Sequence, residues 1–342
     1  MSHGLLAGRS VSFAPFFGQF MIMFQYRRLG ILSCCALGVL AGNAHASCGQ
    51  AFCVVNTNWA MQGIPSDAGS SRLDLRFESI NQTSLRQGNQ SVSAADVDEE
   101  TLEKRTSNRN LIATYDYTFS NNWGLSLVAP LQKRVHEHTV DPTGDPVDEK
   151  WDFTRLGDVR ALANYSIPDE DDPLNRLGFQ FGFKLPTGSY KVSNGDGVRA
   201  ERSLQPGSGS TDVIVSAFYT HRGFSAGSAW FTQLGYQQAA LTQDEYRPGS
   251  QTGFTAGYNQ PLVGALTGTL QLNALLKNRD SGANAEWDLS GGRYVFISPG
   301  LSYAPSSSVQ IYAYAQLPVY RYVNGVQLVA DRGFVGGAAF QF

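Results

Sequence analysis

The chain has 342 residues, among them 36 Gly, 15 Tyr and 20 Phe, but only 16% are charged and the net charge is −3. So mild a charge argues against nucleic acid as a partner, and the charged fraction falls below the roughly 25% of ordinary soluble domains. A mean hydropathy of −0.21 is not that of a helical membrane protein, and past residue 46 no apolar run approaches the ~20 residues a spanning helix needs.

The N-terminus reads as an export signal. Arg27 and Arg28 form a positive region, Leu29 to Leu40 an apolar core, and Ala44-His45-Ala46 a small-x-small cleavage site before Ser47. Counted from Met1 this signal (1–46) is long, so the native start is expected at Met21 or Met23. Cleavage removes three arginines and no acid, which leaves 23 basic against 29 acidic residues and a net charge of −6. Cys34 and Cys35 leave with the signal. Cys48 and Cys53 remain and are expected to form a local disulfide, as suits an oxidising periplasm. Residues 47–70 are expected to form a periplasmic or plugging N-terminal segment.

From Ser71 the chain becomes a series of alternating segments. Leu73, Leu75 and Phe77 interleave with Arg72, Asp74, Arg76 and Glu78, so a strand here has one greasy and one charged face. Strands are expected near 71–82, 107–118, 123–134, 156–167, 177–186, 211–221, 228–241, 250–259, 266–277, 293–303, 309–319 and 332–342. In the even-numbered ones the apolar face ends in an aromatic residue at the same end each time: Tyr117, Tyr165, Tyr219, Tyr258, Tyr303 and Phe342. Aromatic rings gather at membrane interfaces and girdle outer-membrane barrels. The fold class is therefore all-β, a transmembrane antiparallel up-and-down barrel of about twelve strands, with ten or fourteen as neighbouring counts. It spans residues 71–342 and belongs in the outer membrane of a Gram-negative bacterium. Leu162, Ile214, Phe218 and Phe296 interrupt the alternation; they mark either interior packing or a wrong phase.

Connections after even strands are short, although Pro168 to Asn175 is longer, whereas 83–106, 135–155 and 187–210 are long and hydrophilic. Residues 83–106 and 187–210 are long enough to fold inward as constrictions. The terminal Phe340-Gln341-Phe342 resembles the signal that barrel-assembly machinery reads, with Phe342 as its last residue. The bland alternative is a soluble propeller, since the aromatic spacing of 39–54 residues overlaps blade lengths, but no blade signature is found.

Little suggests chemistry. His136-Glu137-His138 could offer both rings to a metal, yet no third ligand is identifiable, and the setting reads as a solvated loop. Ser193-Asn194-Gly195 superficially resembles an outer-membrane phospholipase nucleophile, but Tyr190, Lys191 and Val192 stand where its His belongs. No catalytic set, metal or cofactor is expected. The lumen-facing candidates are Arg72, Asp74, Arg76, Glu78, Asp116, Arg160 and Asp212, which mix both signs. They suit a charge-locked interior as well as a filter.

Three stretches look like a known group: Leu156-Gly157-Asp158-Val159, Phe183-Lys184-Leu185-Pro186-Thr187-Gly188, and Leu204-Gln205-Pro206-Gly207 with Thr211-Asp212. With Asn324-Gly325-Val326-Gln327-Leu328 they resemble the proteobacterial outer-membrane "transporter" or phenol-degradation MetA-pathway barrels. That resemblance implies a passive uptake route for a small, apolar or aromatic solute, with lipid as the surrounding partner. A non-conducting, partner-binding barrel and a barrel hydrolase are the competing readings.

Overall fold

A computed structural model describes residues 47–48, 54–58, 67–97, 101–141, 144–168, 172, 174–223 and 228–342. The expected signal (1–46) and Cys53, and with it the Cys48–Cys53 pairing, lie outside the described residues. Among the described residues no helix is long and apolar enough to cross a membrane.

The strands are β1 (Ser47–Cys48), β2 (Ser71–Gly88), β3 (Gln90–Ser91), β4 (Thr101–Thr118), β5 (Trp123–Val140), β6 (Val147–Leu156), β7 (Val159–Pro168) and β8 (Asn175–Leu185). They continue as β9 (Thr211–Arg222), β10 (Ala229–Leu241), β11 (Gln251–Pro261), β12 (Leu266–Lys277), β13 (Gly292–Ser306) and β14 (Val309–Gln341). Neighbours in sequence pair antiparallel all along the wall, and pairing of β14 with β2 closes it into a barrel. Among the described residues only the two-residue β1 runs parallel to its partner, at Gln327 and Leu328. β6 and β7 both pair with β5 and together make one traverse. β14 doubles back on itself: its first arm pairs with β13 and its second with β2. The turn between the arms falls at Gly325, whose φ of +62° suits glycine. The result is the expected closed up-and-down barrel, close to the expected strand number.

Alternation sets the two faces. Leu75, Phe77, Leu111, Leu127, Phe181 and Phe183 are exposed on the outside. Arg72, Asp74, Glu78, Gln82 and Asn108 are buried inside. So broad an apolar exterior needs hydrocarbon around it. Leu162, Ile214, Phe218 and Phe296 are all buried on the inner side, so the phase holds and they are interior packing. The six aromatics stay at the short-turn end: Tyr117 pairs with Ser71, and Tyr165 with Trp123. Tyr258 pairs with Trp230 and Tyr303 with Leu266. Trp123 and Tyr165 lie 4.7 Å apart, and Trp230 and Tyr258 4.4 Å, between ring centroids.

At the opposite end the strands outrun their expected limits. Much of 83–106 and 135–155, read from sequence as loop, is strand: β2 reaches Gly88, β4 begins at Thr101, and β5 and β6 extend to Val140 and from Val147. The charges that suggested loops pair across these strands instead. Arg105 holds Glu137 through two 2.7 Å hydrogen bonds, Lys150 approaches Glu137 to 3.3 Å, and Lys104 reaches Asp148 at 2.6 Å. A charged outer face at this level places the hairpin above the membrane.

Candidate functional site

All seven lumen candidates lie on the inward-facing positions of their strands. Arg72, Asp74, Glu78 and Asp212 are buried, Arg76 and Asp116 partly so, and Arg160 is exposed towards the lumen. Arg76 pairs with Glu78 at 3.0 Å, Asn110 donates to Glu78 at 3.1 Å, and the Tyr312 hydroxyl donates to Asp74 at 2.9 Å. The interior is thus cross-linked between strands.

Within residues 47–70, Val54–Asn58 threads this interior. The Val54 amide donates to Gln316 Oε1 at 3.0 Å. The Asn56 amide donates to Gln271 Oε1 at 2.9 Å, and Gln271 Nε2 returns a bond to the Asn56 carbonyl at 2.8 Å. Arg76 donates to Thr57 Oγ1 at 2.8 Å, and Val55 is buried among Tyr312, Tyr314, Val335 and Ala339. Asn56 also completes a hydrogen-bonded relay along the wall. Ser126 donates to Asp116, Asn164 to Ser126 (2.8 Å), Gln180 to Asn164 (2.8 Å) and Ser216 to Gln180 (3.5 Å). Gln233 donates to Ser216 (3.4 Å) and Asn56 to Gln233 (2.9 Å).

From the other end, residues 187–210 fold inward. The three motif stretches noted in the sequence converge at their base. Asp158 accepts the amides of Gly188 and Ser208, both at 3.0 Å. Lys184 sits between Asp158 (2.8 Å) and Asp212 (3.4 Å), bonding the Ser210 carbonyl at 2.9 Å and the Ser208 hydroxyl. A Cβ on Gly188 would lie 2.8 Å from the Gly207 Cα and 2.9 Å from the Gly157 carbonyl carbon, so three glycines permit the close approach. Further along, Arg134 donates to the carbonyls of Ser203 (3.2 Å) and Leu204 (2.5 Å). Arg202 is clasped by the rings of Tyr190 and Tyr246, 4.7 and 4.5 Å from their centroids, and by Asp244. Sequence reading flagged these motifs but gave Asp158, Lys184, Arg134 and Arg202 no role. The partners lie on separate strands, and no spacing announces them.

Between the segment and the loop lies a cavity of about 520 Å³. Five cations (Arg76, Arg134, Arg160, Lys184, Arg202) and three anions (Glu78, Asp158, Asp212) line it, an excess of two positive charges. Ile112, Val128, Leu162 and Ile214 add an apolar strip.

The histidines require a correction. His136 and His138 belong to β5, not to a solvated loop, and are 0% and 4% exposed. The sequence hid their setting because of a bulge between Glu103 and Arg105, which reverses the phase of β4 and turns Glu103 inward beside them. Glu103, His136 and His138 form a third-ligand-complete group that alternation alone could not disclose. Burial, with His138 and Arg134 adding to it, pushes His136 down to about 3, so its ring is neutral. His221 lies apart, its Nδ1 2.7 Å from Asn175 Oδ1.

No protein-family model matches the chain, and no curated protein matches it. Among solved structures, an outer-membrane channel from Pseudomonas putida F1 superposes with a TM-score of 0.59 at 12% identity, covering 81% of this chain and 97% of its own. A Pseudomonas aeruginosa FadL homologue gives 0.41 at 10% identity over 83% and 91%. The Ralstonia pickettii toluene transporter TbuX gives 0.42 at 10% over 87% and 97%. The first of these establishes a shared fold, in keeping with the outer-membrane transport barrels the motifs resemble. The chain shares that β-barrel fold, and its apolar exterior sets the barrel in a membrane.

Proposed function

We propose that the barrel is a passive route for small solutes that combine an apolar body with an anionic end. The observation that carries this reading is the 520 Å³ cavity, whose wall sets an apolar strip against an excess of two positive charges. The preference for partly apolar solutes agrees with the motif resemblance. Solute would enter past residues 187–210 and leave past Val54–Asn58, with no catalysis on the way. Low-dielectric walls focus the field of those cations onto an approaching anion.

Single-channel recording in planar bilayers tests this. The full mature chain is expected to conduct in small steps, with a reversal potential in a salt gradient that favours chloride. Deleting residues 47–70 should raise the conductance severalfold. The second reading, a closed barrel that binds a partner, is favoured by the hydrogen bonds that fasten Asn56 inside. A barrel that stays silent both before and after the deletion would establish that reading and remove the first. Lipid or peptide hydrolysis by the purified barrel would replace both.

A further inference from the structure

We propose that Glu103, His136, His138 and Glu201 form a binding site for a divalent first-row transition metal, zinc foremost, at the outer mouth of the lumen. The proposal is independent of what the channel carries. It starts from register. Across β4, β5 and β6, Glu103 stands opposite His138, which stands opposite Glu149, and Thr106 opposite His136, which stands opposite Trp151. Side chains paired this way share one face of the sheet, here the inner one.

The donor atoms converge. His136 Nε2 lies 3.3 Å from His138 Nδ1 and 3.4 Å from Glu103 Oε2, and Glu201 Oε1 lies 3.9 Å from His138 Nδ1. In a tetrahedral zinc site, with bonds of roughly 2.0–2.1 Å, donors stand about 3.3 Å from one another. His136 Nε2 is therefore already at ligand spacing from both neighbours, the three donors all lie within 4.8 Å of one another, and Glu201 must swing in from the loop to complete the set. Two imidazoles and two carboxylates suit zinc and its neighbours better than calcium or magnesium.

The outer nitrogens are also placed as a metal site requires. His138 Nε2 lies 3.0 Å from Glu149 Oε2, and an ionised carboxylate can only accept, so the proton is on Nε2 and Nδ1 offers its lone pair inward. His136 Nδ1 lies 2.9 Å from Thr106 Oγ1. A carboxylate partner fixes the tautomer of a ligating histidine, and the Thr106 hydroxyl can accept from His136 Nδ1–H when Nε2 faces a metal. Trp151 roofs the group, its ring 4.9 Å from His138 and 5.6 Å from His136, and donates to the Val198 carbonyl at 3.0 Å. Without metal, the Thr106 hydroxyl can turn to donate to Nδ1, and the proton then sits on His136 Nε2. Metal and proton compete for one place. Because Glu201 and Val198 belong to residues 187–210, a bound ion would tie the inward loop to the strand hairpin.

The test titrates cobalt(II), then zinc, into the tag-free full mature chain folded in detergent micelles. One equivalent of cobalt should give the strong visible absorption of four-coordinate nitrogen and oxygen ligation, and zinc should displace it. His136→Asn/His138→Asn should weaken binding at least a hundredfold, and Glu149→Gln about tenfold to a hundredfold. His221→Asn should leave it unchanged. A wild-type spectrum showing only the hydrated ion means a cluster that holds protons alone, and overturns the proposal without any variant having to fold. So does a strong band that survives in the double variant. Glu201→Gln, on the loop, should shift the band; an unshifted band overturns the four-ligand site.

Discussion

Ser71 and Phe342 exchange both of their backbone hydrogen bonds, with N···O separations of 2.8 and 2.9 Å. The first residue of the barrel and the last residue of the chain therefore close the seam, and the ring of Phe342 joins the aromatic girdle at that level. In lipid, an open seam leaves backbone groups with no partner at all. Deleting Phe342 removes two bonds worth about 0.5–1.5 kcal/mol each even in water, along with an interfacial anchor. The folded fraction in lipid vesicles, read from heat-modifiable gel mobility, is expected to fall. An unchanged fraction would show that closure does not depend on the last residue.

Lys184 neutralises two buried acids, Asp158 and Asp212. Lys184→Met leaves both without their cation, a change that costs about 3–5 kcal/mol when one member of a buried pair is lost. The urea midpoint should drop, and residues 187–210 should loosen. Trypsin cutting after the half-exposed Arg199 would then be faster than in the parent barrel. A midpoint within error of the parent would reject the role given to this lysine.

Gly207 faces Gly188 so closely that any added methyl must displace the backbone opposite. Overpacking of this kind costs about 1–3 kcal/mol. Gly207→Ala should lift the base of the inward loop and raise single-channel conductance without disturbing the heat-modifiable fold. Gly336→Ala, opposite the outward-facing Phe77, where an added Cβ meets only the Tyr312 carbonyl oxygen at 3.7 Å, is the control and should behave as the parent.

Glu137 titrates at about 2 rather than 4.5, because Arg105 and then Lys150 donate to its carboxylate. The folded value lies below the unfolded one. The pairing thus contributes stability above the ordinary carboxylate range and loses it as pH falls from about 4.5 towards 2. Carboxyl carbon NMR in micelles should place the Glu137 midpoint near 2, and Arg105→Gln should return it towards the ordinary range. A midpoint that ignores Arg105→Gln would contradict this account.

Strand positions, the inner and outer faces, the girdle and the barrel closure were legible because period-two alternation records them directly. The apolar interruptions Leu162, Ile214, Phe218 and Phe296 were legible as a question, and burial answers it. Strand ends above the membrane were not, because water permits polar residues on both faces there and alternation carries no signal. The Lys184 cluster was invisible for another reason: its members come from separate strands and a loop, and only register brings them together. Glu103 was hidden by one extra residue, Lys104, which inverts the phase of everything before it in β4.

The relay from Asn56 through Gln233, Ser216, Gln180, Asn164 and Ser126 to Asp116 has every donor aimed in one rotational sense. Its amide and hydroxyl dipoles lie tangentially, transverse to the barrel axis. They polarise one another head to tail and brace the arc of wall from β10 to β4, yet they exert almost no pull along the bore. In the proposed route, axial discrimination between charges therefore falls to the arginines and lysine, while the amides act as an arc of bracing.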